Sequence, residues 1–139
     1  MSYVNENIIN NINDIMRRID QASFFQFKNL RKNDLSDRSG VYLISLIVDG
    51  TVLYVGKTKN FRQRLYTNHL MGNHSTARLK KYLVEDKSLS EISSYKLAKQ
   101  YLINNCQFKC IEVNDFIELA RIEGLCSYLY SVKYIDTCN

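Results

Sequence analysis

Two tyrosines, Tyr42 and Tyr54, sit inside apolar runs, and cations follow the second at once: Lys57, Lys59, Arg62 and Arg64. Far downstream, Glu123 falls in a stretch of helical apolar spacing, beside apolar neighbours rather than on the plainly polar face. A carboxylate so placed needs a partner, either an arginine or a metal ion. Together these residue types can hydrolyse a phosphodiester. That chemistry needs an activated water, stabilisation of added negative charge and support for the leaving oxygen. One divalent ion on Glu123 can bind a phosphate oxygen and the leaving group. Arg64 can grip a phosphate through paired N–H donors. A tyrosine hydroxyl, with an ordinary pKa of about 10, can orient or deprotonate water if nearby cations lower that value, and Lys57 is placed to help.

Each residue alone has a plainer reading. A strand tyrosine is usually core, with its hydroxyl at the rim. A helical arginine is usually solvated, and Glu123 alone would pair with Arg121 or Lys133. His69 lies on an apolar stripe, where packing is the ordinary role, and His74 reads as a loop residue. The chemical reading rests on Tyr42, Tyr54, Arg64 and Glu123 occurring jointly and in order.

The bulk properties are compatible with it. The chain has 139 residues, enough for one domain with a real core. Hydrophobic residues make up 45% and charged residues 24%, as in an ordinary globule. Proline is absent and only 5 glycines occur, which argues against long structureless linkers. The net charge of +5 permits an anionic partner such as DNA. The cations cluster: Lys57, Lys59, Arg62 and Arg64 form one group, and Arg78, Lys80 and Lys81 another. The 4 cysteines form no C-x-x-C pair and have no histidine nearby, which argues against zinc and for reduced, buried thiols. No run is long and apolar enough to span a membrane, and the first residues do not read as a secretory signal. The expected location is the cytoplasm, with no membrane partner.

The elements that must position the site follow from periodicity. Ile8, Ile12, Ile15, Met16 and Ile19 form a helical stripe in residues 1–20 that packs on the main core. Residues 21–39 read as a connector anchored by Phe24, Phe25 and Phe27. Residues 40–48 and 51–56 read as strands joined at Asp49-Gly50. A two-residue loop would put Tyr42 and Tyr54 on opposite faces. A three-residue loop, Val48 to a left-handed Gly50, pairs Ile47 with Thr51 and sets Tyr54 opposite Ile44, on Tyr42's face. Cooperation of the tyrosines predicts the second geometry. Asn60 then caps a helix with Phe61, Leu65, His69 and Leu70 inward. Ser75 caps another, and Ser88-Leu89-Ser90-Glu91 reads as a capping box for a third. Residues 106–113 alternate as a strand. Asn114 or Asp115 caps a last helix, reaching about Tyr130, with Leu119, Ile122, Cys126 and Leu129 as its stripe.

At these positions the chain resembles the GIY-YIG nuclease superfamily. Gly40-Val41-Tyr42 is similar to the GIY signature, and Tyr54-Val55-Gly56, twelve residues on, to the YIG signature. Lys57 follows directly, Arg64 matches the helical arginine, and Glu123 matches the single metal-binding glutamate. The resemblance spans about residues 40–139. It implies Tyr42 as the residue that activates water, with Tyr54 positioning water or phosphate. Asn139 resembles an asparagine that many members carry near the domain end, although the proline before it is missing here. Many members have His or Tyr one turn after the arginine. That position is Asn68 here, with His69 adjacent, so either the helix is shifted or His69 takes no part. The stretch 71–105 is long for a minimal member and reads as an elaboration for substrate binding.

The resulting expectation is an α+β fold. A small three-stranded, mainly antiparallel sheet is flanked by helices, with a nuclease domain over 40–139 and an N-terminal helical extension and connector over 1–39. The expected function is a DNA endonuclease using Mg2+ or Mn2+. Its catalytic set is Tyr42, Tyr54, Lys57, Arg64, His69 and Glu123. Its DNA-contacting set is Lys57, Lys59, Arg62, Arg78, Lys80, Lys81 and Asn139. The alternative is a non-catalytic nucleic-acid-binding module on the same fold. An interaction role for the N-terminal helix would add to either.

Overall fold

The computed structural model describes residues 6–73 and 75–136. Helix α1 (Glu6–Gln21) leads into the short strand β1 (Phe25–Gln26) and the long strands β2 (Gly40–Leu46) and β3 (Val52–Thr58). A π-helix (Arg62–Leu70), α2 (Arg78–Glu85) and α3 (Tyr95–Asn105) follow, then β4 (Cys106–Glu112) and α4 (Phe116–Leu129). The architecture is α+β. Three long strands were expected, and the sheet has a fourth, β1, which pairs only Phe25 with Phe108 and Gln26 with Gln107. Two residues are too few for sequence alternation to reveal a strand. The order is β1-β4-β2-β3 and every pairing is antiparallel. Asn139 and His74 lie outside the described residues.

β2 is buried along almost its whole length because both faces of the sheet are covered. That explains its unbroken apolar run, where a half-exposed strand would alternate. On one face, Tyr42, Ile44, Tyr54, Leu65, Leu79, Leu102 and Phe108 form a single core with the π-helix, α2 and α3. On the other, Val41, Leu43, Val55 and Ile111 pack with Leu119, Ile122 and Cys126 of α4 and Ile19 of α1. Burying a side chain such as Phe108 contributes about 1.5–3 kcal/mol. The N-terminal helix thus packs on the core. Lys109 Nζ donates to the carbonyl of Ile19 at 2.8 Å, and Arg18 donates to that of Glu112 at 2.6 Å. Ile8, Ile9 and Met16 stay exposed.

Two helix starts differ from the sequence expectation. Ser94, rather than the capping box at Ser88, caps α3, its Oγ accepting from Leu97 N at 3.2 Å. Ser88 instead donates through both its N and Oγ to Asp86 in a short 3-10 turn. Ala77 precedes α2, and Ser75 bonds to Asn73 in the turn before it. Serine favours turns as readily as caps, so these sites compete on sequence alone. Asp115 caps α4 as expected, accepting from Ile117 N at 2.8 Å.

Candidate active site

The hairpin puts the two tyrosines on one face, by a different route from the one predicted. Tyr54 lies opposite Ile44, as expected. The loop has four residues, Ile47–Gly50, rather than three: Leu46 N donates to Thr51 O at 2.9 Å and Gly50 N to Leu46 O at 3.0 Å. Gly50 is left-handed, with φ +77°. The register is restored by a bulge, because Ser45 pairs with Val52 and leaves Leu53 extra. Leu53 and Tyr54 therefore both enter Tyr42's core, while Val52 and Val55 face the other way. The tyrosine rings are 6.3 Å apart. Tyr42 faces Gly56 across the ladder, and a Cβ there would stand 2.2 Å from the Tyr42 hydroxyl. The glycine of Tyr54-Val55-Gly56 thus makes room for the ring of the first tyrosine.

The segment after Asn60 is wound more widely than the α-helix expected of it. Asn60 does cap it, Oδ1 accepting from Gln63 N at 3.0 Å. The π pattern, seen where Met71 N donates to Tyr66 O at 3.0 Å, bonds an N–H to the carbonyl five residues back, where an α-helix would use the fourth. With this winding His69, five residues after Arg64, is turned into the core, while Asn68 stays half-buried. His69 is 1% exposed, and its Nε2 lies 2.7 Å from the Tyr42 hydroxyl. The helix is thus shifted by its winding, as one of the two expected alternatives had it, and His69 meets Tyr42. His69 Nδ1 is buried with no partner among the described residues.

Burial dominates the electrostatics of this pair. It holds His69 neutral, lowering its pKa from 6.5 to about 3, with Arg64 and Lys80 pressing the same way. It pushes Tyr42 well above 10, aided by Tyr54 and opposed by Arg64. For the tyrosine to deprotonate water, nearby cations such as Lys57 would have to lower its pKa. Here it rises, because desolvation of an almost fully buried hydroxyl outweighs the cations. Lys57 is engaged elsewhere, its Nζ 4.0 Å from Glu123 Oε1.

Glu123 reaches the signature strands from α4, which packs on β3. Burial raises its pKa, while Lys57 lowers it through its charge and its backbone N–H, and Arg64 also lowers it. Its cation is neither Arg121, which pairs with Glu118, nor Lys133, which faces Asp86. Glu123 borders an open cavity of about 660 Å³ shared with Ser127, Tyr128, Tyr134 and Asp136. A half-buried carboxylate lifted by burial, open to solvent, suits a hard divalent cation completed by water and substrate oxygens. No group of three or more His, Cys, Asp or Glu residues able to hold a metal occurs among the described residues.

Asp136 belongs to this site, and sequence reasoning missed it. Its carboxylate accepts from Tyr54 at 3.2 Å and from Tyr82, and pairs with Arg78 at 2.6 Å. Burial works to raise its pKa, but the Tyr82 hydrogen bond and Arg78 hold it below the usual carboxylate range. Tyr54 is raised, by burial first and then by Asp136. The segment before Asp136 is laid along β3 by Lys133 N to Val52 O (3.1 Å) and Tyr134 N to Leu53 O (2.9 Å). Nothing in Ser-Val-Lys-Tyr-Ile-Asp signals that return.

The predicted DNA-contacting residues divide. Lys57, Lys59 and Lys81 are exposed. Arg78 is committed to Asp136, and Arg62 Nε ties down the connector through Leu35 O (3.0 Å) and Lys32 O (3.2 Å). Lys80 is corrected outright: it is 2% exposed, and its Nζ donates to the carbonyls of Leu70 and Gly72 at the end of the π-helix. Carbonyls at a helix C-terminus run out of helical N–H partners, and here an ammonium group bonds to two of them. Arg64 keeps no ion pair of its own among the described residues and lines a groove with Lys57, Lys59 and Phe116.

Residues 38–105 match the family model of the GIY-YIG catalytic domain. Among solved structures, two point variants of the GIY-YIG N-terminal endonuclease domain of UvrC from Thermotoga maritima are similar to this chain. Both are bound to the catalytic divalent cation of that protein and are 18% identical, covering 89% of this chain and 97% of theirs, with TM-scores of 0.39 and 0.38. No curated protein matches the chain. No helix among the described residues is long and apolar enough to cross a membrane.

Proposed function

We propose that the chain, whose residues 38–105 match the GIY-YIG catalytic domain model, is a GIY-YIG-type endonuclease that hydrolyses DNA phosphodiester bonds with one divalent cation, Mg2+ or Mn2+, held by Glu123. The observation that carries this reading is the meeting of Glu123 with Lys57, since it joins the late carboxylate to the signature strands. Glu123 would hold the ion, which when bound would supply positive charge to offset the negative charge that builds up on the phosphodiester. Arg64, which has no ion pair among the described residues, grips the phosphate through its paired N–H donors. Tyr42 orients the attacking water and Tyr54, held by Asp136, positions water or phosphate.

The proton path runs from Tyr42 Oη to His69 Nε2. It stays closed at rest. Burial lifts the Tyr42 pKa above its ordinary value and lowers that of His69, so proton transfer from the hydroxyl to the imidazole is uphill. Tyr42 therefore rests neutral and works first as a hydrogen-bonding group. Residues 40–139 are the proposed nuclease unit, with residues 1–39 an extension of it. The cytoplasm, where free Cys106, Cys110 and Cys126 stay reduced, is the proposed setting.

Supercoiled plasmid incubated with Mg2+ or Mn2+ should be nicked or cut, and chelator should stop the reaction. Glu123→Gln should abolish cleavage while leaving the fold intact. Full activity in that variant would sink the assignment. DNA binding without metal-dependent cleavage by the native chain would favour the non-catalytic module.

A further inference from the structure

Beside the Glu123 cavity lies a second concavity of about 430 Å³, between the β3–π-helix loop and the start of α4. Its wall combines three side-chain chemistries. Lys57, Lys59 and Arg64 are cations. Gln63 and Asn68 are amides, joined at 3.4 Å. Phe116 is an aromatic that stays 58% exposed on the first residue of α4, with Lys59 Nζ 4.9 Å from its ring centroid. A solvent-exposed Phe in a cationic wall can serve as a stacking platform for a base. Amides that already orient one another can read a base edge. The volume lies within the range of small-ligand sites, roughly 300–1,000 Å³.

We propose that this groove binds one unstacked nucleotide next to the phosphate being cleaved. Its base lies on Phe116, its edge meets Gln63 and Asn68, and its phosphate recruits Lys59. The inference rests on the nuclease reading and narrows its substrate to DNA with an unpaired nucleotide beside the cut: a single strand, flap or mismatch. A base inside an intact duplex offers only its edge, since its faces are stacked on its neighbours, so the Phe116 ring adds nothing there. The lysine above the ring is the cation a phosphate would attract, and its departure opens the ring to the base.

The test is binding in chelator, where turnover does not interfere. The probes are one sequence with 2-aminopurine unpaired opposite an abasic site and the same sequence fully paired. Bound protein should quench the unpaired 2-aminopurine. Phe116→Ala should abolish that quenching and weaken binding of the unpaired probe by about 10-fold, in line with the value of base–aromatic stacking. Paired-duplex affinity should stay within about 2-fold, and Phe116→Trp should restore the quenching. Equal losses on both probes, or none, overturn the proposal. So does a Phe116→Ala chain whose only change is its self-association, which would make the exposed ring a protein contact. If Phe116→Ala fails to fold, Gln63→Ala replaces it and should erase the preference among the four bases at the unpaired position; an unchanged preference counts against the groove. Plasmid cleavage by the native chain is scored separately. Its absence removes the nuclease reading, while the quenching pattern still decides the nucleotide site.

Discussion

Lowering the pH from 7 to 5 should cost the fold about 2 kcal/mol through His69 alone. The imidazole is fully buried beside Tyr42, and its pKa falls from 6.5 in the open chain to about 3 in the fold. A depressed folded pKa gives stability that is complete above the unfolded value and drains away as pH falls toward the folded one. The window is therefore pH 6.5 down to 3. At pH 5 the unfolded histidine is almost wholly protonated and the folded one is not. The integrated difference from pH 7 is about 2 kcal/mol, and the slope approaches about 1.4 kcal/mol per pH unit. Carboxylates titrate in the same range, so the measurement is a comparison. Urea unfolding of the native chain and of His69→Gln is followed at pH 7, 6 and 5. The variant starts less stable, having lost a packed side chain, but it should lose about 2 kcal/mol less across the range. Parallel stability profiles would refute the reasoning, since they would mean that His69 takes up its proton in the fold as easily as in water.

Three further outcomes follow from the same geometry. Arg64→Ala should raise the barrier to cleavage by about 2–4 kcal/mol, judged by the loss of comparable charge-stabilising donors, and near-normal single-turnover rates would remove it from the site. Asp136→Asn should lower the pKa of Tyr54 toward its ordinary value, because the carboxylate is the largest upward influence after burial; tyrosinate absorbance against pH reads this, and an unmoved titration would separate the two residues. Gly56→Ala should destabilise the fold by about 1–3 kcal/mol, because its Cβ would meet the Tyr42 hydroxyl at 2.2 Å, and an unchanged urea midpoint would show that the ring moves aside freely.

The amino-acid sequence by itself determined what local pattern controls. Strand runs around Tyr42 and Tyr54, the caps at Asn60 and Asp115, the final helix and the α+β class all follow from period, turn residues and capping groups acting within a few positions. The pairing of the tyrosines on one face was legible too, since strand register leaves few choices. Tertiary structure decided the rest. A bulge at Leu53 replaced the simple loop, because Leu53 and Tyr54 both had core to enter. The π winding turned His69, rather than Asn68, onto the Tyr42 hydroxyl. Lys80 was drawn inward by carbonyls at the end of that helix, and Asp136 was brought to Tyr54 by a chain segment laid along β3. Even the sign of the tyrosine pKa change belonged to this level, because desolvation depends on what covers a group, and neighbouring charges are only part of the balance. Sequence spacing names the groups that can meet; packing fixes which of them do, and in what state of charge.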